Sequence, residues 1–119
     1  MCEKLVQYIL LREDLIVSKS WTWGALIAQA CHASTACIHT YYDDPYTMDY
    51  LMNLDHMTKI VLKLKDGDNL TQYENILDSR NLKYYSWIER PENIKTCLAT
   101  KPYPKTMVQD IFRCLKLFN

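Results

Sequence analysis

The residues from Trp21 to Ser34, WTWGALIAQACHAS, restrict the possible folds more than any other part of this chain. A helix faced with Ala, Cys and Ser side chains can lie close against a flat neighbour, and a β-sheet is the flat neighbour a small domain offers. The spacing predicts a helix from about Thr22, a plausible N-cap, to about Tyr42. Set into it are Gln29 and His32, three apart and therefore on one side. A polar side chain on a buried face costs free energy unless it has a partner. The two residues therefore either hydrogen-bond neighbouring strand ends or a loop, or belong to a site.

The rest of the chain alternates strand and helix signals. KLVQYILL (4–11) is an apolar run of strand length, and REDLIVSKSW (12–21) reads as a loop. DDPYTMDYLMNLDHM (43–57) reads as a second helix, with Asp44 as cap and Pro45 at its first position. In TKIVLKL (58–64), Ile60, Leu62 and Leu64 fall on one side with Lys59, Lys63 and Lys65 around them, the mark of a strand. KDGD is expected to turn with Gly67 at positive φ. Leu70, Tyr73, Ile76 and Leu77 mark an amphipathic helix, followed by strands at LKYYSWIE (82–89) and KTCLAT (95–100). Pro102 and Pro104 are expected to end the last strand, and KTMVQDIFRCLKLF (105–118) to form a closing helix. The order is βααβαββα: one domain over residues 1–119, α/β in class, with a single mixed four-stranded sheet covered by helices.

Composition narrows the function mainly by exclusion. Fourteen basic residues balance fourteen acidic ones, so net charge does not argue for nucleic acid. With only Gly24 and Gly67, no phosphate-cradling glycine loop exists, which removes Rossmann and Walker sites. No run approaches the roughly 20 apolar residues of a membrane span, and no signal-peptide pattern is present. Five cysteines (Cys2, Cys31, Cys37, Cys97, Cys114) without a CxxC pair point to free thiols in a reducing compartment, and a cytoplasmic location is expected. His32 and His39 do not make a zinc set, so no metal is expected. A Cys97–His32 nucleophile pair can be written down, but nothing in the sequence brings the two together.

REDL…WGALIAQACHAS resembles the type 2 peptidyl-tRNA hydrolase family, in which an Arg-x-Asp-Leu after the first strand precedes a Gly-Lys-x-Ala-Ala-Gln-x-x-His-Ala helix start. Arg12, Asp14, Leu15, Gly24, Ala28, Gln29, His32 and Ala33 fall in that pattern. KIVLKLKDGDNLTQ, YSWIE, TCLATKPYP and CLKLF continue the resemblance in order to the chain's end. LVQY, AQACHA and PENIKTC are most similar to the eukaryotic peptidyl-tRNA hydrolase domain-containing subgroup. The resemblance implies hydrolysis of the ester between peptide and tRNA, a tRNA or peptidyl-tRNA partner, and no cofactor. It implies an active site of Lys, Gln, Asp and Thr. Gln29 and Thr96 occupy two of those positions. His32, one turn further on, and Asp14 are expected to support the structure, with His32 bonding a strand end.

The departures are specific. The family lysine position is Ala25, after a loop about four residues longer than the family's, in which Lys19 is the replacement candidate. The family aspartate position is Arg90, flanked by Glu89 and Glu92. Losing a general base or an oxyanion donor typically lowers rate by roughly 10²–10⁴. The resemblance therefore supports either a hydrolase with a modified site, using Gln29, Thr96, Glu89 and Lys19, or a retired site that still binds tRNA or a protein. Arg12, Gly24, Lys95 and Lys101, with Lys105, are expected to line the substrate side. Trp21 and Trp23 are expected to anchor the cleft loop or to stack on the terminal adenosine. A homodimer is compatible with the sequence.

Overall fold

The computed structural model describes residues 3–119, so Cys2 lies outside the described residues. The elements are β1 (Leu5–Arg12), α1 (Asp14–Ser18), α2 (Trp23–Thr40), α3 (Pro45–Met52), a 3-10 turn (Leu54–His56), β2 (Lys59–Leu64), α4 (Gly67–Ser79), β3 (Tyr84–Glu89), β4 (Ile94–Thr100), β5 (Tyr103–Pro104) and α5 (Lys105–Val108). The sheet is mixed, in the order β2-β1-β4-β3, with β5 beside the start of β1. β1 runs parallel to β2 and antiparallel to β4, which in turn pairs antiparallel with β3.

β1 is buried on both faces, which explains its unbroken apolar run. Val6, Tyr8 and Leu10 face the cluster beneath α4, with Leu62, Leu70, Leu77, Val108 and Phe112. Ile9 and Leu11 face the other way, with Leu15, Leu26, Ala33, Cys37, Cys97 and Ala99. The buried positions of α2 — Leu26, Gln29, Ala33 and Cys37 — recur at helical spacing, so its small side chains do lie on the sheet. Thr22 caps α2, its Oγ1 accepting from the Ala25 N–H at 3.1 Å. Asp44 caps α3, accepting from the N–H groups of Tyr46 and Thr47 at 2.9 and 3.2 Å, with Pro45 next.

A buried polar contact also holds α2 to the sheet. Ser34 Oγ donates to Gln7 Oε1 at 2.7 Å, and Lys59 Nζ donates to the same oxygen at 2.6 Å. The Lys59 stem is exposed, but its ammonium reaches inward, and burial lowers its pKa from the ordinary value.

The structure changes five expectations. Residues 14–18 form a helix instead of a loop, pinned by the fully buried Leu15. Five residues are too few to display a 3.6-residue period. The second helix stops at Met52, and a separate 3-10 turn follows. Gly67 does not take positive φ. It begins α4, because Asp66 caps the helix there, accepting from the Asn69 N–H at 2.8 Å. Pro102 and Pro104 do not end the pairing: Tyr103 and Pro104 form a fifth strand opposite Val6 and Leu5. Proline is tolerated at that edge, and the Lys105 N–H supplies the next bond, to Lys4 O at 3.0 Å. Finally, the closing helix ends at Val108. The chain then turns to the open edge of β2, where Lys63 N–H donates to Lys116 O and Phe118 N–H to Val61 O, each at 2.9 Å. An unpaired strand edge offers those bonds in place of the helical ones.

Candidate active site

Two of the sequence candidates, 67 residues apart, meet directly. Thr96 Oγ1 donates to Gln29 Oε1 at 2.8 Å, with Gln29 2% exposed and Thr96 fully buried. Gln29 Nε2 donates to the Ala25 carbonyl one turn back at 3.2 Å. A carbonyl can only accept, so this contact sets the amide's orientation. The amide nitrogen carries a second N–H, for which the described residues supply no acceptor.

The meeting depends on a β-bulge. Trp87 lies opposite Cys97, but the next residue, Ile88, lies opposite Lys95, so Thr96 is the extra residue of β4. Strict alternation would turn Lys95 and Cys97 to one face and Thr96 to the other. With the extra residue, Thr96 and Cys97 both face α2, and Lys95 faces α4.

Lys95 is accordingly not beside Gln29. Its ammonium pairs with both carboxylate oxygens of Glu74 on α4, at 3.0 and 2.8 Å, while Ser86 Oγ donates to the same carboxylate at 2.6 Å. Lys101 is 5% exposed, near the opposite end of β4. Its Nζ lies 2.9 Å from Asp44 Oδ2 and 3.9 Å from the centre of the Tyr103 ring. Lys101 is buried and the exposed Lys95 is paired with Glu74, so with Lys105 they do not form one patch of free lysines. Arg12 is committed as well. Its Nε and Nη2 hold both oxygens of Asp14, at 3.0 and 2.7 Å, and its Nη1 donates to Lys95 O at 3.0 Å. The fork ties the end of β1 to α1 and β4. Asp14 thus has a supporting role, and Arg12 positions the backbone beside Thr96 rather than offering a free guanidinium.

His32 corrects the opening expectation. It is exposed, bonds no strand end, and stacks on Trp87 with ring centres 4.6 Å apart. Gln29 and His32 do share a side of α2, but Gln29 lies under the helix and His32 at its rim. Trp87 Nε1 donates to Glu89 Oε1 at 3.0 Å, so the half-buried Glu89 is held at the end of β3. Its second oxygen has no partner among the described residues. Lys19 is exposed at the end of α1 and makes no side-chain bond or ion pair among the described residues. Ala25 is exposed at the start of α2, and Gly24 beside it has nothing within 4 Å of a would-be Cβ. Arg90 and Glu92 are exposed in the turn after β3, where the Arg90 guanidinium donates to Asn93 Oδ1. Trp21 packs against the α2-side core, whereas Trp23 is 57% exposed.

The Cys97–His32 pair fails on geometry. Cys97 is fully buried, and burial pushes its thiol far from the thiolate a nucleophile needs, while His32 is engaged with Trp87. Among the described residues, no three His, Cys, Asp or Glu side chains converge as metal ligands.

Fold and site together define an α/β protein whose amide–hydroxyl pair joins α2 to the start of β4, beside the carboxyl end of β1. The chain belongs to the peptidyl-tRNA hydrolase PTH2 family, which matches residues 5–118. Two similar proteins, from Homo sapiens and Mus musculus, are both named "Putative peptidyl-tRNA hydrolase PTRHD1". They are 46% and 45% identical over 116 residues, spanning 97% of this chain and 83% of each relative. The family and subgroup resemblance read from Arg12–Ala33 and from the later strands is therefore borne out.

Proposed function

We propose that this protein hydrolyses the ester joining a peptide to the ribose of tRNA, with a site rebuilt around Gln29 and Thr96. The observation that carries the reading is the buried hydrogen bond between them, which joins two of the four positions the family resemblance assigns to catalysis. Ester hydrolysis needs an activated water and donors for the oxyanion that forms as water adds to the carbonyl. Gln29 supplies a donor through its unused N–H, oriented by Thr96 and the Ala25 carbonyl. The amides of Trp23 and Gly24 precede the first helical hydrogen bonds of α2 and add donors at the start of that helix. Glu89, whose second oxygen is unpartnered, takes the place of the family aspartate in activating water, and Lys19 takes that of the lysine now replaced by Ala25. The products are the free peptide acid and the tRNA 3′-hydroxyl, with the water proton passing to the leaving ribose oxygen.

A second reading has its own support. No charged side chain bonds Gln29 or Thr96 among the described residues, and Ala25 and Arg90 stand where the family has Lys and Asp. A retired site that binds the tRNA end without cleaving it fits those facts.

The deciding experiment measures release of an N-blocked aminoacyl group from tRNA by the parent, Gln29→Ala and Ala25→Lys. The hydrolase reading expects parent cleavage above buffer, a loss of roughly 10²–10³-fold for Gln29→Ala, and a gain for Ala25→Lys. Parent cleavage at the buffer rate, with tRNA binding intact, establishes the retired site instead.

A further inference from the structure

Of the lysines expected to meet RNA, Lys101 is buried and Lys95 is paired, whereas Lys65 and Lys116 elsewhere are free of ion pairs among the described residues. Beside the ends of β1 and β2 lies a hollow of about 490 Å³, whose lining includes Lys63, Lys65, Lys116, Glu13 and Tyr73. A second hollow of about 520 Å³ is lined by Asp14, Trp23 and Phe118, and again by Glu13 and Lys65. Glu13 and Lys65 line both hollows, so the two lie side by side along one groove-like face. At one end is Trp23, two residues before Ala25, the residue whose carbonyl holds Gln29. At the other end is the lysine cluster.

The charges along this groove are unbalanced. Asp14 is neutralised by the two-pronged contact with Arg12. Glu13 stands 3.7 Å from Lys63. Lys65 and Lys116 are exposed and have no ion pair among the described residues. The C-terminal segment causes this crowding of like charge: by bonding along the β2 edge it sets Lys116 beside Lys63. Lysines crowded in this way are stabilised by an anion between them. Trp23 is 57% exposed and meets Phe118 edge-on, with ring centres 6.0 Å apart, which leaves an indole face for a nucleobase.

We propose that this groove is the track for the single-stranded 3′ end of the RNA, with phosphates on Lys65 and Lys116 and a base stacked on Trp23. The inference rests on the reading above, since it brings the strand to the start of α2 beside Gln29. It replaces the Lys95–Lys101–Lys105 surface as the RNA contact. An aromatic face next to lysines is the pattern single-stranded nucleic acids use, whereas an acidic peptide has no need of the indole.

The test measures binding of uncharged tRNA, and of a short single-stranded RNA ending in adenosine, as a function of salt. The proteins are the parent, Lys65→Gln/Lys116→Gln, Trp23→Ala, and Lys105→Gln as an off-track control. Each lost phosphate contact should flatten the log–log salt slope by about 0.7, so the double variant should lose about 1.4. Its affinity should fall roughly ten-fold, and Trp23→Ala should weaken the short RNA by a similar factor with an unchanged slope. Lys105→Gln should match the parent. A second arm uses an N-blocked aminoacyl ester of adenosine, which has no phosphates. The double variant's KM for peptidyl-tRNA should rise by a larger factor than its KM for this ester. If the double variant keeps the parent's slope while the parent cleaves, the track is overturned and the hydrolase reading stands. If the slope falls as expected while the parent cleaves neither substrate, the track stands and the hydrolase reading fails. Absence of tRNA binding by the parent, or equal retention of polyglutamate and RNA, overturns the track.

Discussion

Thr96→Val removes one hydroxyl from the centre of the molecule with almost no change of shape. Thr96 Oγ1 is the donor to Gln29 Oε1 at 2.8 Å, and both side chains are buried. Valine fills the same volume, so no cavity is created, and the loss is that of a hydrogen bond whose acceptor stays buried without a partner. Such a loss costs about 1–3 kcal/mol. For 119 residues, an unfolding entropy of roughly 2.1 cal/mol/K per residue amounts to about 0.25 kcal/mol/K. The melting temperature should therefore fall by about 4–12 °C. Replacing both partners with apolar groups, Gln29→Leu/Thr96→Val, should cost less than the sum of the single changes, by about 0.5–3 kcal/mol. Urea denaturation followed by circular dichroism measures all four corners of this cycle. If Thr96→Val costs under about 0.5 kcal/mol, or the two changes add without coupling, then the contact does not hold the site together and Gln29 is not oriented by Thr96.

Three other outcomes follow from the same structure. Gly24→Ala should raise stability by about 0.5–1 kcal/mol, because the added Cβ meets nothing within 4 Å inside a helix, yet should slow ester cleavage if substrate approaches there; paired melting and cleavage assays read both signs. Lys101→Met should cost about 1–3 kcal/mol by leaving Asp44 with only its capping bonds, a value discounted from fully buried pairs because Asp44 is partly open to water; the tRNA salt slope should not change. Burial pushes the Cys37 thiol up to about 12 from an ordinary 9.0. Above pH 9 the unfolded chain loses a proton that the folded one keeps, so this contribution is fully present below pH 9. It is lost by about 1.4 kcal/mol per pH unit as pH rises toward the folded value. Unfolding free energies from pH 8 to 11 should show a shallower decline in Cys37→Ala than in the parent.

Much of the molecule is determined by local chemistry. The cap at Thr22, the Asp44–Pro45 start of α3 and the strand at Ile60–Leu64 follow from short-range rules that hold wherever the segment sits. The motif residues Gln29 and Thr96 could be named from their spacing within a family pattern, and the structure brings that pair together. What failed was whatever depended on a distant partner. Lysines at 95 and 101 look alike in sequence, but Glu74 holds one, while Asp44 and the ring of Tyr103 hold the other. The residues after Val108 have a helical pattern, yet they run as turns to Leu115, and the free edge of β2 then takes the backbone bonds of Lys116 and Phe118. His32 and Gln29 share a helix side, and only the packing of α2 on the sheet decides that one is exposed and stacked on Trp87 of β3 and the other buried against Thr96 of β4.

By itself, then, the sequence determined the main helices and the four long strands and the membership of the key pair, because helix caps, periodicity and motif spacing are local. The tertiary structure alone decided the site. The one-residue bulge opposite Trp87 turns Thr96 toward α2 and sends Lys95 to the other face, and alternation along a strand carries no sign of it. A bulge is set by how two strands register against each other, a non-local quantity on which every side chain beyond it depends.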